Sequence, residues 1–139
     1  MTEQTATLNT LNSRVRLLWT WTGWALIISV VALSLVPLTQ QIDIDHFDKL
    51  EHSLAYAILM LWFAQVYPKK RWIWIAIGFS SMGIVLEFLQ SQTGYRSFSY
   101  GDMVANALGT FGGWFLAVIG WSTLLTTLEM RFNSKDTQV

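Results

Sequence analysis

Four ionisable residues crowd the start of an otherwise apolar segment, "FDKLEHSLAYAILMLWF", which covers residues 47–63. Asp48, His52 and Tyr56 recur at every fourth position, so on a helix their side chains stack on one face. This spacing suits an acid/base dyad, in which Asp48 would orient or charge the His52 imidazole. The alternative is structural, because the helix dipole favours an aspartate in the first turn and an interfacial histidine can simply be hydrogen-bonded.

Further polar residues recur where the later apolar segments begin or end. Arg96 lies in the loop "SQTGYRSFSYG", where its guanidinium could pair with Glu87 or Asp102 as a structural strut. Alternatively its planar fork, with Lys49 as a second cation, could hold a phosphate or carboxylate of a ligand. The other polar residues that we assign to binding at these segment ends are Gln90, Ser97 and Asn106.

A metal ion is a third use for these side chains. One imidazole and three carboxylates, from His52, Asp48, Glu87 and Asp102, would suit Mn, Mg or Zn. Their spacings match no dedicated metal motif, so we rank a metal below the dyad and predict neither a metal site nor a cofactor. Tyr56 also has a structural alternative, as a core tyrosine whose hydroxyl donates to the polar residues.

The composition indicates a membrane protein. Hydrophobic residues make up 53% of the 139 positions and charged residues 13%, and a soluble domain carries about 25% charged residues. The formal net charge is zero, so the chain has no excess of positive charge to attract nucleic acid, and we predict no nucleic-acid partner. Eight tryptophans suit the membrane interface, where the ring is apolar and its N–H stays wet. Much of the surface must therefore face lipid.

Four apolar segments predict four helices, at residues 17–38, 48–67, 72–90 and 102–128. At about 1.5 Å per residue the first spans roughly 33 Å, enough to cross a hydrocarbon core of about 30 Å. A cleaved signal peptide is the rival interpretation, but the run is too long and no small-residue cleavage site follows it. We predict a cytoplasmic N-terminal segment at 1–16, a four-helix transmembrane domain at 17–128 and a cytoplasmic tail at 129–139.

The basic residues are divided unequally between the two sides of this arrangement. Four spanning helices return the chain to its starting side, and of the nine basic residues only Lys49 and Arg96 would lie opposite. By the positive-inside rule the termini are cytoplasmic, and the candidate site residues form one layer at the outer leaflet. The basic residues of the inner side are Arg14, Arg16, Lys69, Lys70, Arg71, Arg131 and Lys135.

Small residues follow the polar ones along the fourth segment. Asp102 and Asn106 share a helical stripe with Ala105, Gly109 and Gly113. A surface of small residues lets a neighbouring backbone come close. We therefore predict that Asp102 and Asn106 point into the bundle.

The polar and small residues fall in the motifs "DKLEHSLAY", "EFLQ" with "GYRSFSYGD", and "NALGTFGG". In this order and with these spacings they resemble the VanZ-like family of small membrane proteins, and the likeness extends over residues 17–119. The founding member of that family is associated with resistance to the glycopeptide teicoplanin, which binds cell-wall precursors outside the cytoplasmic membrane. The resemblance therefore implies a small membrane protein of the cell envelope.

We predict an all-α fold, an integral membrane four-helix bundle in the bacterial inner membrane with both termini cytoplasmic. Its partners would be the lipid bilayer and an anionic or lipid-linked envelope ligand, bound or acted on in an outward-facing polar pocket. The alternative is a non-catalytic scaffold or partner-binding protein whose polar cluster is structural. In the enzymatic form His52, oriented by Asp48, is the acid/base, and Glu87 and Asp102 are further catalytic residues that position the reacting groups. The binding residues are Lys49, Tyr56, Gln90, Arg96, Ser97 and Asn106.

Overall fold

The structure is a computed structural model that describes residues 13–36, 47–94, 96–124 and 127. The described residues form four α-helices and a short 3₁₀ helix, with no strand among them, which confirms the all-α prediction. The helices are α1 (Ser13–Leu35), α2 (Phe47–Val66), α3 (Lys69–Ser91) and α4 (Tyr100–Val118), and the 3₁₀ helix is Trp121–Thr123.

Proline and glycine set two of the helix boundaries. Pro68 has a φ of −65° and a ψ of 150°, so it leaves the helical conformation and separates α2 from α3. The predicted single helix over 102–128 is interrupted at Val118, where α4 ends, and the described residues 119–123 do not continue it. Gly120 has a φ of +120°, a value that no α-helical residue adopts, and the chain continues as the 3₁₀ helix.

Contacts near the helix ends show how α1 lies against its neighbours. The Trp19 ring, near the start of α1, stacks at 4.3 Å on Trp62, near the end of α2, and the Trp62 indole donates to the Trp19 carbonyl. Near the end of α1, the Ser34 carbonyl accepts a hydrogen bond from the amide of Gln90, at the end of α3. Helix α1 is therefore antiparallel to α2 and runs in the same direction as α3.

Helices α2 and α4 run in the same direction and approach each other closely. A Cβ added at Gly109 would overlap the Ser53 carbonyl oxygen, and one at Gly113 would overlap that of Ala57. The backbones can meet here only because neither glycine carries a side chain. The predicted packing role of the small-residue stripe is confirmed. Its partner is α2, and the starts of α2 and α4 lie together at one end of the fold.

Apolar side chains fill the interior and also cover much of the outside. Tyr56, Met60, Trp72 and Phe79 belong to one buried cluster formed by α2, α3 and α4. Large apolar side chains such as Leu18, 66% exposed, nevertheless point outward from every helix. Two helices, α1 over Arg14–Leu35 and α3 over Lys69–Ser91, are long and apolar enough to cross a membrane.

Candidate functional site

A single guanidinium nitrogen joins α2 and α4 to the loop between α3 and α4. Nη2 of Arg96 lies 2.6 Å from Asp48 Oδ1, 3.0 Å from Asp102 Oδ2 and 2.9 Å from His52 Nε2. This nitrogen has two hydrogens for three acceptors, so at least one hydrogen is shared between two of them. The geometry matches the structural alternative for Arg96, in which its guanidinium pairs with Asp102, and it adds Asp48 and His52 as partners.

Burial makes the pairing of Arg96 essential to the site. The Asp102 side chain is 2% exposed and that of Arg96 19%, whereas that of Asp48 is 47% exposed. Burial alone lowers the pKa of Arg96, but hydrogen bonds and charges from Asp48 and Asp102 outweigh it, and the net pKa lies above its ordinary value. The guanidinium is therefore always charged, and it compensates the buried Asp102 carboxylate.

The neighbours of His52 determine its tautomer. Arg96 can only donate, so His52 Nε2 accepts, and the ring proton lies on Nδ1, which donates to Asn106 Oδ1 at 3.1 Å. Asp48 Oδ1 is 3.6 Å from Nε2, too far for a hydrogen bond. The ring is thus oriented by Asn106, which differs from the predicted dyad. Asp48 instead binds the same Arg96 nitrogen that His52 binds.

Glu87 holds the loop that carries Arg96. Its Oε1 accepts the backbone N–H of Ser99 at 2.6 Å, and the Ser99 hydroxyl accepts the backbone N–H of Asp102 at 3.2 Å as the N-cap of α4. Glu87 therefore fixes where α4 begins and so positions Asp102 indirectly. Ser99 is absent from the predicted site, although a serine three residues before an acidic residue is a helix-start signature.

Lys49 lies at the exposed edge of this cluster. Its Nζ is 3.9 Å from Asp102 Oδ1, beyond hydrogen-bond length, and its side chain is 46% exposed. Asp102 Oδ1 is itself buried without a hydrogen-bond partner in the described ranges. A Cβ at Gly101 would lie 2.8 Å from Lys49 Cε, so this glycine gives the lysine stem room to cross the first turn of α4.

Three predicted binding residues lie outside these hydrogen bonds. Tyr56 is 2% exposed in the core, and its hydroxyl has no partner among the residues that the structure describes. The Gln90 amide is committed to the Ser34 carbonyl at 2.9 Å and joins α3 to α1, and Ser97 is exposed in the loop. The predicted residues that do meet through hydrogen bonds or ion pairs are Asp48, Lys49, His52, Arg96, Asp102 and Asn106.

Asp48, His52 and Asp102 also offer the donor set of a metal site. One ligand atom from each lies within 4.8 Å of the others. These residues, however, all converge on Arg96 Nη2 at 3.0 Å or less. A metal ion would have to displace the guanidinium before it could bind the same lone pairs.

Comparisons with protein-family models, curated proteins and solved structures find no match for this chain. The resemblance of its motifs to VanZ-like proteins stays a prediction.

Proposed function

We propose that the chain is a VanZ-like multi-pass protein of the bacterial cytoplasmic membrane that binds an anionic or lipid-linked ligand of the cell envelope. The observation that carries this proposal is the half-exposed Lys49 side chain beside the part-buried Arg96, which is charge-paired with the buried Asp102. Ionisable residues buried within membrane-spanning helices, as Glu87 and Asp102 would be here, are expensive and by default suggest a functional site. Lys49 is the cation that a ligand reaches first.

The exposed surface supports four membrane-spanning helices. Ile58 of α2, Phe88 of α3 and Phe115 of α4 are 54%, 58% and 65% exposed, and α1 is apolar along its length. An apolar surface that extends over every helix suits lipid better than water. By the positive-inside rule we place the end opposite Arg96, with both termini, in the cytoplasm. The basic residues at that end are Arg14, Arg16, Lys69, Lys70 and Arg71.

Cysteine labelling tests this orientation, and the natural chain contains no cysteine to interfere. We expect a membrane-impermeant maleimide to label Glu51→Cys in intact spheroplasts and to label Lys70→Cys only after permeabilisation. Both positions are exposed, so accessibility of the side chain is matched. Labelling of Lys70→Cys in intact spheroplasts, with Glu51→Cys protected, would invert the proposed topology.

The two cations of the site are arranged so that one anionic group could use both. Arg96 approaches Asp102 Oδ2 and Lys49 approaches Oδ1, so both cations flank the same carboxylate. Asp48 is much more exposed than Asp102. It is therefore the partner of Arg96 that a ligand oxygen could replace at the lower desolvation cost. Lipid phosphates lie at the membrane interface, the depth at which we place this site.

The proposal is for binding, and catalysis would require a rearrangement. His52 Nε2 accepts a hydrogen bond from Arg96 and cannot take a substrate proton until that bond opens. In the enzymatic form, Asn106 would orient the His52 ring while Arg96 and Lys49 hold the anionic oxygens. Asp102 and Glu87 would then position these groups.

The lipids that co-purify with the protein test the binding function. We expect wild-type protein in mild detergent to retain anionic over zwitterionic lipids. Lys49→Gln should lower that preference about tenfold, the effect of losing one charge-assisted hydrogen bond. Mass spectrometry of the extracted lipids measures the ratio, and Lys70→Gln, which removes the same charge at the opposite end, is the matched control.

A structural scaffold is the second candidate, favoured by the three hydrogen bonds that Arg96 makes within the protein. In that case the cluster joins α2 to α4 and leaves nothing for a ligand to bind. An anionic lipid fraction that is equal in wild type, Lys49→Gln and Lys70→Gln would support the scaffold and refute ligand binding.

A further inference from the structure

A groove of about 540 Å³ runs between α2 and α4, with Lys49 at one end. Apart from Lys49 and the hydroxyls of Ser53 and Tyr100, the side chains along it are apolar. Leu50, Val104 and Leu108 are each more than half exposed, so the groove opens to the outside. The residues that line it are Lys49, Leu50, Ser53, Tyr100, Gly101, Val104, Ala105 and Leu108.

We propose that this groove seats one acyl chain of an anionic membrane lipid whose phosphate pairs with Lys49. The inference rests on the proposed lipid-binding function, and it adds the position of the chain and the surface that selects it. The occupant is a lipid of the surrounding bilayer rather than a free phosphate, because the lining beyond Lys49 offers an anion no further cation.

The polar and apolar parts of the groove match the two parts of such a lipid. Lys49 and Tyr100 lie near the starts of α2 and α4, where an ammonium and a hydroxyl can both donate to phosphate oxygens. From Gly101 to Leu108 the lining follows α4 for about 10 Å, at 1.5 Å per residue. A headgroup at the interface would thus continue into an acyl chain that follows α4 toward the middle of the membrane.

The chemistry of the walls favours an acyl chain over a peptide. A peptide backbone in an apolar environment must satisfy its N–H and C=O groups, and here the wall below the charged end offers only the Ser53 hydroxyl. An acyl chain has no such groups. Neighbouring lipid tails are as apolar as the groove, so the groove does not select one lipid over another. The groove therefore determines where the acyl chain lies, and Lys49 determines which headgroup is retained.

Photo-crosslinking locates the chain directly. Wild-type protein is placed in two sets of nanodiscs, both containing equal parts of phosphatidylglycerol and phosphatidylcholine. In one set the phosphatidylglycerol carries a diazirine in its acyl chain, and in the other set the phosphatidylcholine does. We expect phosphatidylglycerol to label residues 101–108 preferentially. Lys49→Gln should lower this labelling about tenfold, as for one lost charge-assisted hydrogen bond. Val104→Trp, which fills the groove, should lower it to the phosphatidylcholine level.

Val85→Trp is the matched control, because Val85 on α3 is 56% exposed and Val104 is 57% exposed. Circular dichroism identifies any variant that fails to fold, and Leu108→Trp then replaces Val104→Trp. Wild-type labelling in a folded groove variant, with labelling lost in Lys49→Gln, would overturn the groove while leaving the lipid-binding function intact. Equal labelling by both lipids in wild type would refute the binding function itself.

Discussion

Replacement of Arg96 by alanine is expected to destabilise the protein by about 3 kcal/mol or more, because it leaves a buried carboxylate without its partner. Asp102 is 2% exposed and would lose its charge-assisted bond of 3.0 Å, while Asp48 and His52 would lose the donor that they share. Solvent would compensate the half-exposed Asp48 more easily than Asp102. The free energy of unfolding, measured by SDS titration in mixed micelles, reports this effect.

Two further variants distinguish the loss of the Arg96–Asp102 ion pair from the loss of one positive charge. Lys70→Ala removes an exposed cation at the other end of the fold and should change stability by about 0.5 kcal/mol at most. Combining Arg96→Ala with Asp102→Asn removes the unpaired charge, so the double variant should be more stable than Arg96→Ala alone. An Arg96→Ala protein as stable as Lys70→Ala would contradict the central role of this guanidinium.

Replacement of Gly109 by alanine is the second large effect that we expect. The new Cβ would overlap the backbone carbonyl oxygen of Ser53, and a backbone atom inside a packed helix cannot rotate away as a side chain can. Overpacking typically costs about 1–3 kcal/mol, and we expect the upper end of that range because α2 must move as a whole. SDS titration again measures the free energy of unfolding.

Gly112 supplies a control on the same helix. A Cβ there meets no atom within 4 Å, so Gly112→Ala changes helix propensity without a clash. Alanine in a helix interior is favoured over glycine by about 0.5–1 kcal/mol, and the control should therefore stabilise the protein. Opposite signs at positions 109 and 112 would establish the contact with α2. Equal effects would contradict it.

Much of the fold could be predicted from local patterns in the sequence. The apolar segments correspond to α1 to α4, Pro68 separates α2 from α3 as expected, and Gly109 and Gly113 form the packing stripe. The end of α4 could not be predicted. Residues 119–128 are apolar enough to continue a helix, and only the backbone conformation of Gly120 shows that α4 stops before it.

Most members of the candidate site could be predicted from the sequence, but their hydrogen-bond partners could not. Helical periodicity correctly places Asp48 and His52 on one face, since positions along a single helix are set by local geometry. It could not show that Asn106 orients His52, because that contact depends on how α4 lies against α2. The same local pattern predicts Gln90 at the site, yet its side-chain amide donates to the Ser34 carbonyl of α1.

The sequence by itself determined the helices, their apolar surfaces and the concentration of polar residues near the starts of α2 and α4. Only the tertiary structure decided that Arg96 would lie between Asp48 and Asp102, with Lys49 left at the edge beside a groove. The physical reason is that helix formation depends on neighbours along the chain, whereas pairing across helices depends on their rotation and offset. Those are fixed by the contact of Gly109 with Ser53 and by the Ser99 cap held by Glu87.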